Sequence, residues 1–374
     1  MKILGIESSC DETAAAIVED GQRLLSNVVH SQINIHTVYG GVVPEVAARS
    51  HIEVVNPVIN QALHQASCSW DDIDAIAVTY APGLIGSLLV GTLAARTLAI
   101  LKNKPLYPIH HVEAHVYANF ITEQPVTQGN DQKGNQIQAL TLPSHQPAFP
   151  MLALIVSGGH SQLVLFFGHG NYKLLGQTQD DAIGEAYDKV AKILGLPYPG
   201  GPSISKLALQ GNPHQYKLPK ARLKNPYDFS FSGLKTAVLR AVQHEVGVDF
   251  TFSSHELSAR LNDVQKADFA ASFQHIATET LVDTAERAFK AYMPQSVVIA
   301  GGVAANQELR RKLQARLPLT IEYAPMQLCT DNAAMIATLA YYYAQEKQPA
   351  DPYDFEVIPS LSMTKTAWSS NPLL

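Results

Sequence analysis

The residues best placed to do chemistry are two histidines. In His110-His111-Val112-Glu113-Ala114-His115, His111 and His115 stand four positions apart, so on a helix they share one face. That spacing lets two imidazoles reach one metal ion, although such a pair also occurs as a plain solvated or core-edge feature. His110 points away and is the weaker candidate. A divalent site needs a third ligand, and Asp331 in Thr330-Asp331-Asn332 is a good source. Asp331 sits at a loop-to-helix junction, where a carboxylate that merely caps the helix is also expected. A metallopeptidase is disfavoured on geometry. In H-E-x-x-H enzymes the base directly follows the first histidine, whereas Glu113 comes two positions after His111, roughly 200° around the helix.

Glycine pairs are the second signal: Gly40-Gly41, Gly158-Gly159, Gly200-Gly201 and Gly301-Gly302. A Gly-Gly turn after a strand lets backbone N–H groups approach phosphate oxygens with no Cβ in the way. Ser157-Gly158-Gly159 and Ala300-Gly301-Gly302 each follow an apolar run, yet neither matches a P-loop or a dinucleotide fingerprint. One such pair is ordinarily a turn; several together point to a cleft that grips phosphate. Asp188 falls mid-helix, as a solvated charge or as a ligand for a hydroxyl or ribose. Asn306 should cap the helix after it and could also face a ligand. Lys217, Lys220, Arg222 and Lys224, interleaved with Tyr216 and Tyr227, form the candidate nucleic-acid contact, the alternative being a solvated loop.

The elements that must position these groups follow from hydrophobic patterning. Lys2–Ile6 and Ala14–Val18 read as strands around the polar turn Glu7-Ser8-Ser9-Cys10-Asp11-Glu12-Thr13, with Asp20-Gly21 marking the next hairpin. The same grammar returns at Leu152–Val156, Ser157-Gly158-Gly159-His160-Ser161 and Leu163–Phe167, closed by Gly168-His169-Gly170. Two such units suggest two duplicated lobes. Helices are expected over 44–66, 110–120, 182–194, 267–292, 306–317 and 332–345, with strands at 73–79 and 296–300. The alternation argues for an α/β fold. The expected division is a first lobe over 1–120, a variable polar insertion over 121–150, a second lobe over 151–345 and a loose tail over 346–374. Part of the C-terminal helix is expected to return to the first lobe. Gln124–Pro147 lacks periodicity and reads as a surface insertion.

A chain of 374 residues suits two domains, and 46% hydrophobic with 16% charged residues excludes wholesale disorder. A net charge of -6 supplies no global basic field for nucleic acid, so local patches must bind it. Three scattered cysteines, Cys10, Cys68 and Cys329, suggest free thiols in a reducing compartment. The N-terminus lacks the pattern of a signal or transit peptide, and the expected location is the cytoplasm. Ala81–Leu101 is apolar over about 20 residues, near spanning length. Pro82, Gly83, Gly86 and Arg96 favour a buried core helix over a membrane span.

Together these motifs resemble one family, the tRNA adenosine threonylcarbamoyltransferases, called TsaD in bacteria and formerly labelled glycoproteases. The stretches that carry the resemblance run nearly end to end: Gly5–Thr13, Gly40–His51, Pro82–Ser87, His110–His115, Val156–His160, Gly184–Lys189, Tyr198–Pro202, Phe229–Lys235, Gly301–Asn306 and Cys329–Asn332. The resemblance implies an actin/Hsp70-like (ASKHA) fold of two duplicated lobes with a cleft between them. It implies transfer of threonylcarbamoyl from threonylcarbamoyl-AMP to the exocyclic amine of an anticodon-loop adenosine, in tRNAs reading codons that begin with A, releasing AMP. Carried over by position, His111, His115 and Asp331 would bind one divalent metal per subunit, iron(II) or zinc. Ile155, Val156, Ser157, Gly158 and Gly159, with Asp188, Gly201 and Asn306, would hold the adenylate. Asp11 and Glu12 would be the catalytic carboxylates, and no covalent nucleophile is needed, so Cys10 is not expected to be one. The family works with a paralogous subunit, TsaB, and an ATPase, TsaE, so a hetero-complex through the helices of the first lobe is expected, with no membrane partner. A small-molecule kinase of the same fold class, or a non-catalytic scaffold subunit, are the rival readings.

Overall fold

The computed structural model describes residues 1–125 and 140–364. The chain divides into two compact units: residues 1–147, 169–171 and 322–374 form the first, and residues 148–168 and 172–321 the second.

The first unit begins with β1 (Lys2–Glu7), β2 (Glu12–Glu19), β3 (Arg23–Ser31), α1 (Ile33–Thr37), α2 (Pro44–Gln65), β4 (Ala75–Ala81), α3 (Ile85–Lys102), β5 (Leu106–His110) and α4 (His111–Tyr117). The strands lie in the order β3-β2-β1-β4-β5. β2 runs antiparallel to β1, and β4 parallel to it. β1, β2 and β4 are almost wholly apolar because the sheet is covered on both faces. α2 starts with Pro44 in its first turn, a position where the missing N–H costs nothing. It packs Val55, Val58, Ile59 and Ala62 into the core around Leu4, Ile6 and Ile76.

α3 differs from expectation. Its inner face is buried through Ser87, Leu88, Gly91, Ala95 and Ala99. Its outer face leaves Ile85 at 61%, Leu93 at 55% and Leu101 at 72% exposure. The sequence is apolar all round, so periodicity could not show that only one side would be covered. Its length and apolarity would also suffice to cross a membrane.

The second unit contains β6 (Met151–Val156), β7 (Ser161–Gly168), β8 (Asn171–Gln177), α5 (Ile183–Leu194), α6 (Gly200–Ala208), α7 (Ser232–Glu245), α8 (Ser254–Leu257), α9 (Asp263–Tyr292), β9 (Ser296–Ala300) and α10 (Gln307–Arg316). Its sheet order is β8-β7-β6-β9. β7 is antiparallel to β6 and β9 parallel to it. This repeats the β3-β2-β1-β4 order of the first unit, so the two hairpins read as a duplication carry the same topology.

The chain then returns to the first unit with α11 (Met326–Cys329) and α12 (Ala333–Glu346). A Cβ at Gly5 would lie 2.4 Å from the Ala333 carbonyl, so β1 accepts α12 only because that position is bare. The sequence placed residues through 345 in the second lobe, with only part of the last helix crossing back. The whole of 322–346 belongs to the first unit, because α12 is apolar on most of its surface and finds its cover there.

The tail also differs from a loose segment over 350–364. The Ala350 N–H donates to Leu106, that of Ile358 to Tyr80, and the Pro359 carbonyl accepts from Gly83. Arg96 donates to the Pro352 and Tyr353 carbonyls. Prolines lack N–H groups but keep their carbonyls, and these fasten the strap. Residues 126–139 of the expected insertion and the last ten positions lie outside the described residues.

Candidate active site

In the first unit, β5 ends at His110 and α4 starts at once, so both histidines of the pair occupy one short helix. The His110 ring caps that helix, accepting from the Glu113 N–H at 3.4 Å, and its Nε2–H donates to the Leu361 carbonyl at 3.1 Å. Glu113 turns to the opposite side, where the Tyr343 hydroxyl donates to it at 2.8 Å. It is therefore not a base beside the pair.

His111 and His115 are brought to Asp331. Nε2 of His111 lies 3.5 Å, and Nε2 of His115 3.4 Å, from Asp331 Oδ1. One ligand atom from each of the three lies within 4.8 Å of the others. Asp331 does not cap α12. The cap is Asn332, whose side chain accepts from the Met335 N–H at 3.1 Å, and this leaves Asp331 free to face the imidazoles.

The polar turn after β1 closes around this group. Nδ1 of His111 meets Glu7 Oε2 at 3.0 Å and the Ser9 hydroxyl at 3.2 Å. The turn is held from behind by two helices. Nε2–H of His51 on α2 and the Ser87 hydroxyl on α3 donate to the Cys10 carbonyl, at 3.0 and 3.2 Å. The Thr13 hydroxyl meets His51 Nδ1 at 2.7 Å. Burial holds the His51 pKa below its usual value, so it serves as a neutral clamp.

Negative charge accumulates here. Burial, then the charges of Glu7 and Asp11 against the pull of His111, raises the Asp331 pKa to about 6. Burial, then Asp331 and Asp11, pushes Glu12 up to about 10. Burial and the same carboxylates raise the Cys10 thiol well above its usual value, so it stays protonated. For Glu7, burial alone would raise the pKa, but the charge and hydrogen bond of His111 with the bonds of Ser9 and Thr79 bring it below the ordinary value. His111 rises to about 9, its burial outweighed by Glu7 and Asp331. Two imidazole nitrogens and a carboxylate oxygen within one small sphere, amid excess negative charge, fit a divalent cation.

The second unit supplies neutral groups. Ile155 and Val156 end β6 fully buried. Ser157 closes the turn, with its N–H on the His160 carbonyl at 2.8 Å and its hydroxyl accepting from the His160 N–H at 3.1 Å. Gly158 and Gly159 are exposed, and a Cβ on either would meet open space, as it would at Gly201. Their neighbours are bare for another reason. A Cβ on Gly184 would lie 2.7 Å from the Ser157 carbonyl, and one on Gly301, at φ +88°, 2.5 Å from the Val156 carbonyl. Gly184 and Gly301 thus let the chain pack behind the open turn. Asp188 accepts from the Gly200 N–H at 2.7 Å and fastens the start of α6, while burial raises its pKa.

Asn306 caps α10, accepting from Leu309 N–H at 3.0 Å. Its amide nitrogen lies within 3.0 Å of both Ser205 Oγ and Gln274 Oε1 and 3.3 Å from the Tyr187 hydroxyl. The structure therefore ties Asn306 into its own unit. Of the basic cluster, Lys217, Arg222 and Lys224 are exposed, but Lys220 pairs with Asp283 at 2.6 Å. The tyrosines expected to stack on bases are taken: Tyr216 lies flat on Phe269 at 3.6 Å and Tyr227 packs against Tyr292.

Glu7, Ser9, Thr79 and His51 escaped the reading of the sequence. The available signal was a carboxylate ending an otherwise apolar strand, and a histidine on the inner face of α2.

The family described as tRNA N6-adenosine threonylcarbamoyltransferase matches residues 23–129 and 135–338. A protein of that name from Symbiobacterium thermophilum is 48% identical over 364 residues, covering 96% of each chain. One from Thermomicrobium roseum is 49% identical over 358 residues, covering 94% of each, and one from Bacillus subtilis 45% identical over 369 residues, covering 97% of this chain and 96% of its own. Among solved structures, the (R)-2-hydroxyglutaryl-CoA dehydratase component A of Acidaminococcus fermentans aligns with a TM-score of 0.47 at 15% identity, over 92% of this chain and 100% of its own. With near-complete coverage by relatives at this identity, the chain belongs to the tRNA N6-adenosine threonylcarbamoyltransferase family, enzymes that place a threonylcarbamoyl group on an adenosine of tRNA.

Proposed function

We propose that the donor is threonylcarbamoyl-AMP and the acceptor the exocyclic amine of an anticodon-loop adenosine, in tRNAs reading codons that begin with A. The amine nitrogen bonds to the carbamoyl carbon, the bond from that carbon to the phosphate oxygen breaks, and AMP leaves. The amine is a weak nucleophile because its lone pair delocalises into the ring, so positioning and charge stabilisation carry much of the work.

The convergence of His111, His115 and Asp331 within 4.8 Å carries this reading for the first unit. These residues would hold iron(II) or zinc, which when bound supplies a Lewis acid and a template for the threonylcarbamoyl group. Asp11, on the turn clamped by His51 and Ser87, is the carboxylate offered to the proton the amine gives up, and Glu12, pushed up to about 10 and so protonated, is a hydrogen-bond donor beside it. Cys10, kept protonated, attacks nothing. In the second unit, Gly158 and Gly159, at the open end of the segment that Ile155, Val156 and Ser157 anchor, offer backbone N–H groups with Gly201 to the phosphate that departs. Asp188 has one oxygen on Gly200 and the other for a ribose hydroxyl. Asn306 acts as a brace for the same site. Lys217, Arg222 and Lys224 are the cations available to tRNA phosphates, with Lys220 held back by Asp283.

The enzyme is proposed to act in the cytoplasm with two partners, a paralogous subunit (TsaB) and an ATPase (TsaE). The outer faces of α2 and α3 support this, since Ile52, Ile85, Leu89 and Leu93 are exposed there and form an apolar surface suited to burial by another chain. Transfer of labelled threonine from threonylcarbamoyl-AMP to unmodified tRNA, with and without the partner subunits, tests the proposal. Signal in the wild type and its loss in His111→Ala is expected. No signal with metal and partners present would point to another acceptor or a scaffold role.

A further inference from the structure

Glu7 ends β1 with its side chain at 0% exposure, where an ionisable group persists only if its hydrogen bonds are met. Both of its oxygens are met. The Ser9 N–H donates to Oε1 at 2.5 Å, and the Thr79 hydroxyl and the His111 ring reach Oε2. Every partner from backbone and hydroxyl arrives as a donor, which suits an ionised carboxylate that only accepts. The contact with His111 then settles the ring. A carboxylate at 3.0 Å from Nδ1 requires the hydrogen on Nδ1. Nε2, 3.5 Å from Asp331 Oδ1 and on the side of His115, is then the nitrogen that would give up its proton to take an ion.

Charge points the same way. With neutral imidazoles, Glu7 and Asp331 supply two negative charges to the group, the balance that a divalent cation neutralises. β1, β4 and α4 meet at this carboxylate, so one side chain locks the ligand helix to the sheet.

We propose that Glu7 is the positioning residue of the metal group: it fixes His111 as the Nδ1–H tautomer, aims Nε2 at the ion and completes the charge balance with Asp331. This rests on the reading of His111, His115 and Asp331 as metal ligands. Outer carboxylates of this kind are worth roughly 10–100-fold in metal affinity.

The test is a zinc titration of the chelator-stripped full chain, wild type against Glu7→Gln, with thermal melting of both stripped proteins. Gln keeps the shape but sets an NH2 group against one of the three donors. Zinc affinity is expected to fall about 10–100-fold, while melting of the stripped protein would report any purely structural role. Unchanged zinc affinity in a folded Glu7→Gln protein overturns the inference and leaves the metal reading standing. A wild type that binds no zinc defeats the metal reading and the inference with it. Should Glu7→Gln not fold, nitrogen NMR of 15N-histidine wild type loaded with zinc decides. His111 protonated at Nδ1 and ligating through Nε2 is expected, and ligation through Nδ1 would overturn the proposal.

Discussion

The same hairpin turn occurs twice in this chain, after the first strand of each unit, and its two copies are built from opposite materials. After β1 the turn is Glu7-Ser8-Ser9-Cys10-Asp11-Glu12, packed with carboxylates, clamped by His51 and Ser87, and closed around His111. After β6 it is Ser157-Gly158-Gly159-His160, with bare backbone facing open space. One copy sets carboxylates beside His111, His115 and Asp331, a group that could hold a cation. The other exposes bare backbone, which fits the proposed anion site. A shared topology thus fixes where the turn stands, while the residue types decide what it binds.

The largest effect should come from taking a side chain out of the metal group beside the first turn. Asp331→Ala is expected to abolish stoichiometric metal binding and lower transfer by more than about 100-fold, beyond the loss typical of an outer carboxylate. Elemental analysis and single-turnover assays would check it, and a metal-loaded, active Asp331→Ala would break the contrast between the turns.

In the second unit a substitution should act through the backbone. Gly301→Ala meets the Val156 carbonyl at 2.5 Å in a left-handed conformation, and should cost about 1–3 kcal/mol in urea denaturation. Gly158→Ala meets nothing and should melt like the wild type, yet raise the KM for the donor by crowding the open turn. Equal destabilisation by both would mean that the turn is only packing.

Asp188→Asn sharpens the same point. The pKa of Asp188 is raised in the folded state, chiefly by burial. The folded chain therefore holds that proton to higher pH than the unfolded chain, and stability falls as pH rises between the two values. Asp188→Asn keeps an acceptor for Gly200 and should flatten that fall, melting slightly higher at neutral pH, while weakening donor binding. A variant less stable at neutral pH would contradict the sign. The smallest effect belongs to Cys10→Ser. Turnover should stay well above that of His111→Ala, because the thiol is held protonated; equal losses in the two variants would count against that assignment.

Much of this was legible in the residues. The two hairpins, the helices expected at 44–66 and 182–194 and the His111 and His115 pair follow from periodicity and spacing, which are local properties, whereas Asp331 joined the pair as a candidate and through the family resemblance. What escaped notice depended on contacts far apart in the chain. Glu7 meets Thr79 and His111 across 72 and 104 positions. The proline-rich tail looked loose, yet it is fastened by carbonyls that no side-chain pattern reports. Lys220 and Tyr216 looked available to RNA until Asp283 and Phe269 were seen to occupy them. Asn306 showed its cap but not the three groups that hold its amide.

The central claim is that His111, His115 and Asp331, beside the first turn, hold an ion on which transfer depends. It is tested most directly by stripping the wild-type enzyme with a chelator, supplying its partner subunits and threonylcarbamoyl-AMP, and measuring single-turnover transfer to unmodified tRNA before and after adding one equivalent of iron(II) or zinc. The account predicts negligible transfer when stripped and recovery on re-addition in the wild type, with no recovery in His111→Ala. Undiminished transfer by the stripped enzyme, at the rate of the reloaded one, would contradict it.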